Sequence, residues 1–212
     1  MLRTLRRLFY FVNLLMQKII CTIGGVLLLM LVSCSSNNTP NPTIEATQDS
    51  VIIFPVTDFI LGQIHEIDSM PVTPLHTITR NDKTDSIWID RKQVRDFAAP
   101  FLTPVIDSIS MYKWFRGKSF LDATLNKFTL TYEARQALPA DISLRRWDVY
   151  INPANNRVSR LYLVKEEQQD NGELITRQLT WNANEWCSIR TIRQGAEGKA
   201  QVTEEKVTWK FK

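Results

Sequence analysis

The chain has 212 residues, with 26 Lys and Arg against 22 Asp and Glu. The first 33 residues contain four of the cations (Arg3, Arg6, Arg7 and Lys18) and no acid, so residues 34–212 carry 22 charges of each sign. If that first segment is removed from the mature protein, the basic pI belongs to the discarded part. It then gives no support for nucleic-acid binding or for a polybasic membrane patch.

The N-terminal region contains an apolar run from Ile19 to Val32. As a helix this run would be roughly 21 Å long, which is short of the ~30 Å hydrocarbon core of a membrane. The run therefore predicts the hydrophobic region of a removable signal peptide over residues 1–33 rather than a spanning helix.

The apolar run ends in Leu31-Val32-Ser33-Cys34. This tetrapeptide resembles the lipobox of bacterial prolipoproteins, and the resemblance covers the signal region only. It implies lipidation of the Cys34 thiol, cleavage before Cys34 by the prolipoprotein-processing enzymes during export, and acylation of the new N-terminus. The alternative is a plain signal peptide with a buried cysteine nearby.

Residues 1–15 add a second apolar block before Lys18. In one continuous helix that lysine would lie near the middle of the bilayer, at a cost of ~3 kcal/mol or more. We therefore expect either that Met16 is the true initiator or that residues 1–15 merely lengthen the basic start of the signal peptide.

Residues 34–50 are polar and contain two prolines, which predicts a flexible tether with a reach of roughly 20–24 Å. In lipoprotein sorting of the enteric type, Asp directly after the lipidated cysteine retains a protein in the inner membrane, and here that position is Ser35. Residues 35–40 also lack the acids that direct some lipoproteins to the cell surface. By resemblance, we expect an outer-membrane lipoprotein that faces the periplasm.

Residues 51–212 are expected to form one domain. Pro55 to Asp68 has the apolar spacing of a helix, with Thr57 as its N-cap. The stretches 75–80 and 85–90 flank Asn81-Asp82-Lys83-Thr84 and predict a β-hairpin. Asp90 can cap a second helix that Pro100 and Pro104 kink or end. Residues 105–123 are read as short helix and loop.

The second half of the domain shows six strand-like segments with turn residues between them: 124–134, 142–152, 157–167, 174–182, 185–193 and 200–211. Short loops between them predict an antiparallel meander of five to six strands. Pairing Ile151 with Ser159, Val149 with Leu161 and Trp147 with Leu163 makes one face almost wholly apolar. The predicted fold class is therefore α+β, with two or three helices packed on one face of an antiparallel sheet.

Few residues in the sequence suggest metal or catalytic chemistry. His65 and His76 match no zinc-protease spacing, and we expect ordinary surface or hydrogen-bonded histidines. The stretches 81–85 and 170–173 have calcium-friendly oxygens but also the residues of hairpin turns, which is the better explanation. Cys187 has no His nearby in sequence and is predicted to be a core thiol. With Cys21 removed and Cys34 lipidated, it has no disulfide partner.

Two clusters could carry binding. Trp147, Trp181, Trp186 and Trp209 fall on predicted strands, and they would form a sugar- or peptide-binding platform if several lie on one exposed face. Core packing is the simpler expectation for them. Arg145, Arg146 and Arg160 lie close to Asp148 and Glu166, which favours a solvated ion-pair face over an anion site.

The sequence contains no motif of a known catalytic family, and the mature domain resembles only uncharacterised bacterial lipoproteins. The leading interpretation is a non-catalytic envelope lipoprotein without cofactors. It would be held to the membrane by lipid on Cys34 and would bind an envelope protein or glycan, not nucleic acid. The alternative is a periplasmic carrier that encloses an apolar ligand between sheet and helices, and an enzyme comes third.

The lipid anchor can be tested on Cys34. In cells fed radioactive palmitate, the wild-type protein should be labelled and its mature N-terminal peptide should begin at Cys34. Cys34→Ala should carry no label. Cys187→Ala is the matched control, because it removes the other cysteine of the mature chain, and it should be labelled like the wild type. An unlipidated N-terminus at any other residue would refute the anchor.

Overall fold

The computed structural model describes residues 53–107, 111–122, 124, 126–135, 137–195, 198 and 200–210. The predicted signal peptide, Cys34, the Met16 start and the tether lie outside these residues and stay predictions. In the described part of the chain, neither helix is long and apolar enough to cross a membrane.

The described chain is mostly β, with nine strands in one antiparallel sheet. The strands are β1 (Leu75–Arg80), β2 (Lys83–Trp88), β3 (Phe115–Asp122), β4 (Lys127–Ala134), β5 (Leu144–Asn152), β6 (Arg157–Gln168), β7 (Leu174–Asn182), β8 (Trp186–Gln194) and β9 (Ala200–Thr208). Strands β3 to β9 are neighbours in chain order, and the β1–β2 hairpin adds to β9. The predicted C-terminal meander is therefore confirmed, with one strand more than expected.

Helices α1 (Val56–Ser69) and α2 (Arg91–Leu102) precede the meander. The α+β prediction holds in its coarser part, an antiparallel sheet accompanied by helices, but it overstates the helical share. Asp90 caps α2 as predicted: its side chain accepts a hydrogen bond from the Lys92 N–H at 2.9 Å, and Gln93 completes the capping box. The helix runs two residues past Pro100 and ends before Pro104.

The predictions for Thr57 and for residues 115–122 were wrong. Thr57 does not cap α1, which begins after Pro55; its hydroxyl instead accepts a hydrogen bond from the Ile106 backbone N–H at 2.9 Å. Residues 115–122 form the edge strand β3 rather than helix and loop. An edge strand with one buried side chain, Phe115, lacks the regular apolar alternation by which strands are recognised.

The predicted register between β5 and β6 is confirmed at Trp147 with Leu163 and at Val149 with Leu161. Ile151 pairs with Val158 rather than with Ser159, because a β-bulge shifts the register after Tyr150. The turn of the β1–β2 hairpin consists of two residues, Asn81 and Asp82. Both have positive φ, which is the backbone conformation that two-residue hairpin turns favour.

One face of the sheet, the inner face, carries the buried apolar side chains. The residues at its centre that are fully excluded from solvent are Trp147, Val149, Leu161, Leu163, Leu179 and Trp181. Both helices contribute to the same core cluster, through Ile60 and Ile64 of α1 and Val94 and Phe101 of α2. The Phe101 ring meets Trp181 edge-on, with centroids 5.4 Å apart. Burial of these aromatic and aliphatic side chains is the largest favourable contribution to the stability of the fold.

A buried lysine joins α2 to the inner face. Lys165 of β6 is 4% exposed, and its ammonium donates to the backbone carbonyls of Pro100 and Thr103 at the end of the helix. Those carbonyls have no partner within the helix, so the lysine satisfies them. Burial lowers the pKa of Lys165 to about 8, with Glu167 opposing that change.

The pH dependence of unfolding tests this arrangement. The pKa of Lys165 is about 10.5 in the unfolded chain and about 8 in the folded chain. Raising the pH between these values therefore favours the folded state, by about 2 kcal/mol between pH 7.5 and 9.5. Urea denaturation at pH 7.5 and pH 9.5 measures this change. The free energy of unfolding of the wild type should rise by about 2 kcal/mol more than that of Lys165→Met. Identical pH dependence in the two proteins would contradict the burial of this charge.

Candidate functional site

The opposite, outer face of the sheet is lined by polar and aromatic side chains. One residue from each strand forms a continuous line across this face, and the cross-strand pairs define it: Trp88, Leu75, Thr208, Trp186, Asn182, Arg160, Tyr150, Thr129 and Phe120. We call this line the outer row. Its two ends are exposed, with Trp88 58% and Phe120 38% accessible. Trp, Tyr and Arg are the residue types that dominate binding energy at protein interfaces.

The tryptophan platform considered from the sequence is wrong. Trp147 and Trp181 are fully buried and Trp209 is 3% exposed, all in the core. Of these four tryptophans, only Trp186 lies on the outer face. Trp181 and Trp186 bracket one turn, but Asn182 pairs with Trp186, so Trp186 shares the face of Asn182 and Trp181 takes the opposite one.

The buried tryptophans act as packing groups. Trp147 stacks on Tyr132 with centroids 4.7 Å apart and meets Phe115 edge-on at the same distance, while Trp181 lies 5.5 Å from Trp209. Among the described residues, the indole N–H groups of these three tryptophans meet no hydrogen-bond acceptor. Their contribution is therefore apolar area and ring contact rather than hydrogen bonding.

A buried carboxylate lies on the outer face, on β5, the third strand from the β3 edge of the sheet. Asp148 is 1% exposed although its side chain points away from the core. Its Oδ1 accepts the Thr131 hydroxyl at 2.6 Å, and its Oδ2 accepts Arg146 Nη2 at 3.0 Å and Nε at 3.1 Å. Tyr162 faces it across the other neighbouring strand. The charge is thus paired and hydrogen-bonded, which is the condition under which burial of a carboxylate is tolerated.

Charges around Asp148 extend this network. The hydrogen bond to Asp148 raises the pKa of the Arg146 guanidinium. Burial, and then the charge of Asp148, raise the pKa of the Tyr162 phenol. Beside them, a 3.0 Å hydrogen bond from Lys118 lowers the pKa of Glu133. The expected ion pairs are confirmed for Arg146 with Asp148 and for Arg145, which lies 3.4 Å from Glu166, but not for Arg160.

Two cations of the outer face lie over aromatic rings. The Arg160 guanidinium carbon is 4.1 Å from the centroid of Tyr150, and the Lys206 ammonium is 4.5 Å from that of Trp186. Such pairs are favourable and hold the long cationic side chains in place. Arg160, expected in the arginine cluster, is therefore positioned by a ring rather than by an acid.

The remaining residues singled out from the sequence form no second site. His65 is exposed on α1, and His76 packs against Phe97 with its Nε2 3.4 Å from Glu205. Cys187 is buried in the core as predicted, and burial raises the pKa of its thiol well above the usual value. The stretches 81–85 and 170–173 form turns, the second with Gly172 at φ +82°. In the described part of the chain no group of three or more His, Cys, Asp or Glu could hold a metal ion.

One surface hollow of about 320 Å³ lies between the end of α1 and the start of α2. It is lined by Pro71, Val72, Thr73, Ile89, Asp90 and Arg91. Asp90 is occupied in capping α2, and Arg91 donates to the carbonyls of Asp68 and Met70. The two charged side chains of this hollow thus already bond within the fold, and the outer face is the better candidate.

Comparison of the chain with models of known protein families, with curated proteins and with solved structures found no match.

The burial of Asp148 gives a stability prediction. Asp148→Asn removes the charge that Arg146 pairs with and should lower the free energy of unfolding by about 2 kcal/mol. Glu133→Gln is the matched control on the neighbouring strand, where the exposed Lys118 is the partner, and it should cost less than about 1 kcal/mol. Chemical denaturation measures both. Equal losses would contradict a special role for Asp148 in the outer face.

Proposed function

We propose that this protein is a membrane-anchored envelope lipoprotein whose domain is a non-catalytic binding or assembly module. Lipid on Cys34 would hold it to the membrane, and the outer face of the sheet would meet an envelope protein or glycan. The anchor rests on the lipobox-like Leu31-Val32-Ser33-Cys34, and the outer membrane, facing the periplasm, is the expected location. A tether with a reach of roughly 20–24 Å suits a domain that binds a partner above the headgroups.

The outer row is the observation that carries the binding part of this proposal. The inner face is already closed by the core, whereas the outer face carries Tyr150, Arg160 and Trp186 with apolar residues at both ends. The sheet also has the size of a protein interface. Nine strands span about 38 Å across and nine-residue strands about 30 Å along, so the face can supply the ~800 Å² that one partner usually buries.

The alternative function, a carrier of an apolar ligand, has less support. Such a ligand would lie between the sheet and the helices, where Trp147, Trp181 and Phe101 are fully buried and in ring contact with their neighbours. Side chains fill this space, so a ligand would have to displace them.

Site-specific photo-crosslinking in intact cells tests the binding surface. A photoreactive amino acid should be placed at Arg190 or Glu204, which are exposed positions on the outer face, and at Lys92 or Asp96 on α2 as controls. The proposal predicts a discrete crosslinked product from the outer-face positions and none from the helix positions. Crosslinks from α2 alone, or none from the outer face, would contradict it.

A further inference from the structure

The outer face combines two features that together indicate the chemistry of its partner. The first is the pair of stacked cations, Arg160 over Tyr150 and Lys206 over Trp186. In the part of the chain that the structure describes, no carboxylate lies within ion-pair distance of Arg160 or Lys206. Their charges are therefore held in fixed positions without an acid to neutralise them.

The second feature is the charge balance of the face. By strand alternation, its eight cations are Arg116, Lys118, Lys127, Arg146, Arg157, Arg160, Arg190 and Lys206. Its five acids are Asp122, Glu133, Asp148, Glu166 and Glu204. Three of the acids are already in ion pairs, with Lys118, Arg146 and Arg145. The face thus keeps a positive surplus although the mature chain as a whole is neutral.

These features separate the candidate occupants of the face. A second copy of the chain would bring the same positive surplus against it, which is unfavourable. A sugar stacks on an open aromatic face, but here one face of Tyr150 and one of Trp186 are already covered by cations. A stacked guanidinium, in contrast, keeps its in-plane N–H donors available for a carboxylate. The outer face is also broad and has exposed apolar residues at both ends, and these features are suited to binding a protein.

We infer that the outer face binds an acidic segment of another envelope protein, whose Asp or Glu carboxylates are bound by Arg160 and Lys206. The inference rests on the proposed function and names the chemistry of the partner at the same surface. Tyr150 and Trp186 act as positioning residues, since each holds the cation that meets the acid.

A defined peptide tests this inference. The probe is a fluorescent Glu-rich peptide of about twelve residues, which in extended form would cross the outer row. Fluorescence anisotropy with the lipidated protein in detergent micelles, at about 0.05 M salt, should show binding that weakens at about 0.15 M. The same peptide with Gln in place of Glu should not bind. Arg160→Glu with Lys206→Glu should weaken binding at least about tenfold, and Arg160→Gln with Lys206→Gln several-fold.

Controls and competing outcomes make the test decisive. Lys83→Glu with Lys92→Glu makes the same charge change at exposed positions off the outer face, and should leave affinity within about twofold. Tyr150→Leu should weaken peptide binding several-fold while leaving the unfolding transition cooperative. Absent binding at low salt, or equal loss in the Lys83 and Lys92 variant, would overturn the inference.

A polyuronate oligosaccharide with the same number of carboxylates serves as the competing probe. If it bound as tightly as the peptide, with the same dependence on Arg160 and Lys206, the partner would be a glycan and the inference would be wrong. None of these results alters the crosslinks expected from Arg190 and Glu204 in cells. A failure of the acidic-partner inference is therefore distinguishable from a failure of the proposed function.

Discussion

The structure depends on the closure of one face of its sheet by a layer of aromatic side chains. Trp147 and Trp181 lie at the centre of the inner face, and Phe101 from α2 packs on Trp181. No disulfide is available to the described domain, since Cys187 is a free buried thiol, so burial of apolar area has to stabilise the fold. Because this layer covers one face of the sheet, it determines which face remains exposed to solvent.

The outer face of the sheet is exposed to solvent, yet it contains a buried carboxylate, Asp148. Asp148 is tolerated there because Thr131 and Arg146 satisfy its oxygens, and because neighbouring side chains cover it. The stacked cations at Tyr150 and Trp186 lie on the same face with no acid in reach among the described residues. Residues 51–212 carry 22 Lys and Arg against 20 Asp and Glu, and the outer face holds a larger share of the cations than of the acids. The proposed tether would let this locally positive surface approach the proposed partner.

Local chemistry made much of the fold predictable. Alternation placed Trp147 opposite Leu163, and the sequence from Asp90 to Gln93 indicated a capped helix start. Non-local features could not be predicted in this way. Thr57 resembled a cap, but it bonds to Ile106, which is 49 residues away. The outer row was missed because nine strands contribute one residue each, and only the register brings them into line. The one available signal was the polar alternation on β5 and β6.

Residue-level hydroxyl-radical footprinting of the purified protein tests the central claim most directly, which is that the inner face is closed and the outer face is open. If the inner face is closed and the outer face open, Tyr150, Trp186 and Trp88 will be oxidised, while Trp147 and Trp181 will stay protected until the protein unfolds. Oxidation of Trp147 or Trp181 in the native protein at a rate similar to that of Trp186 would contradict it.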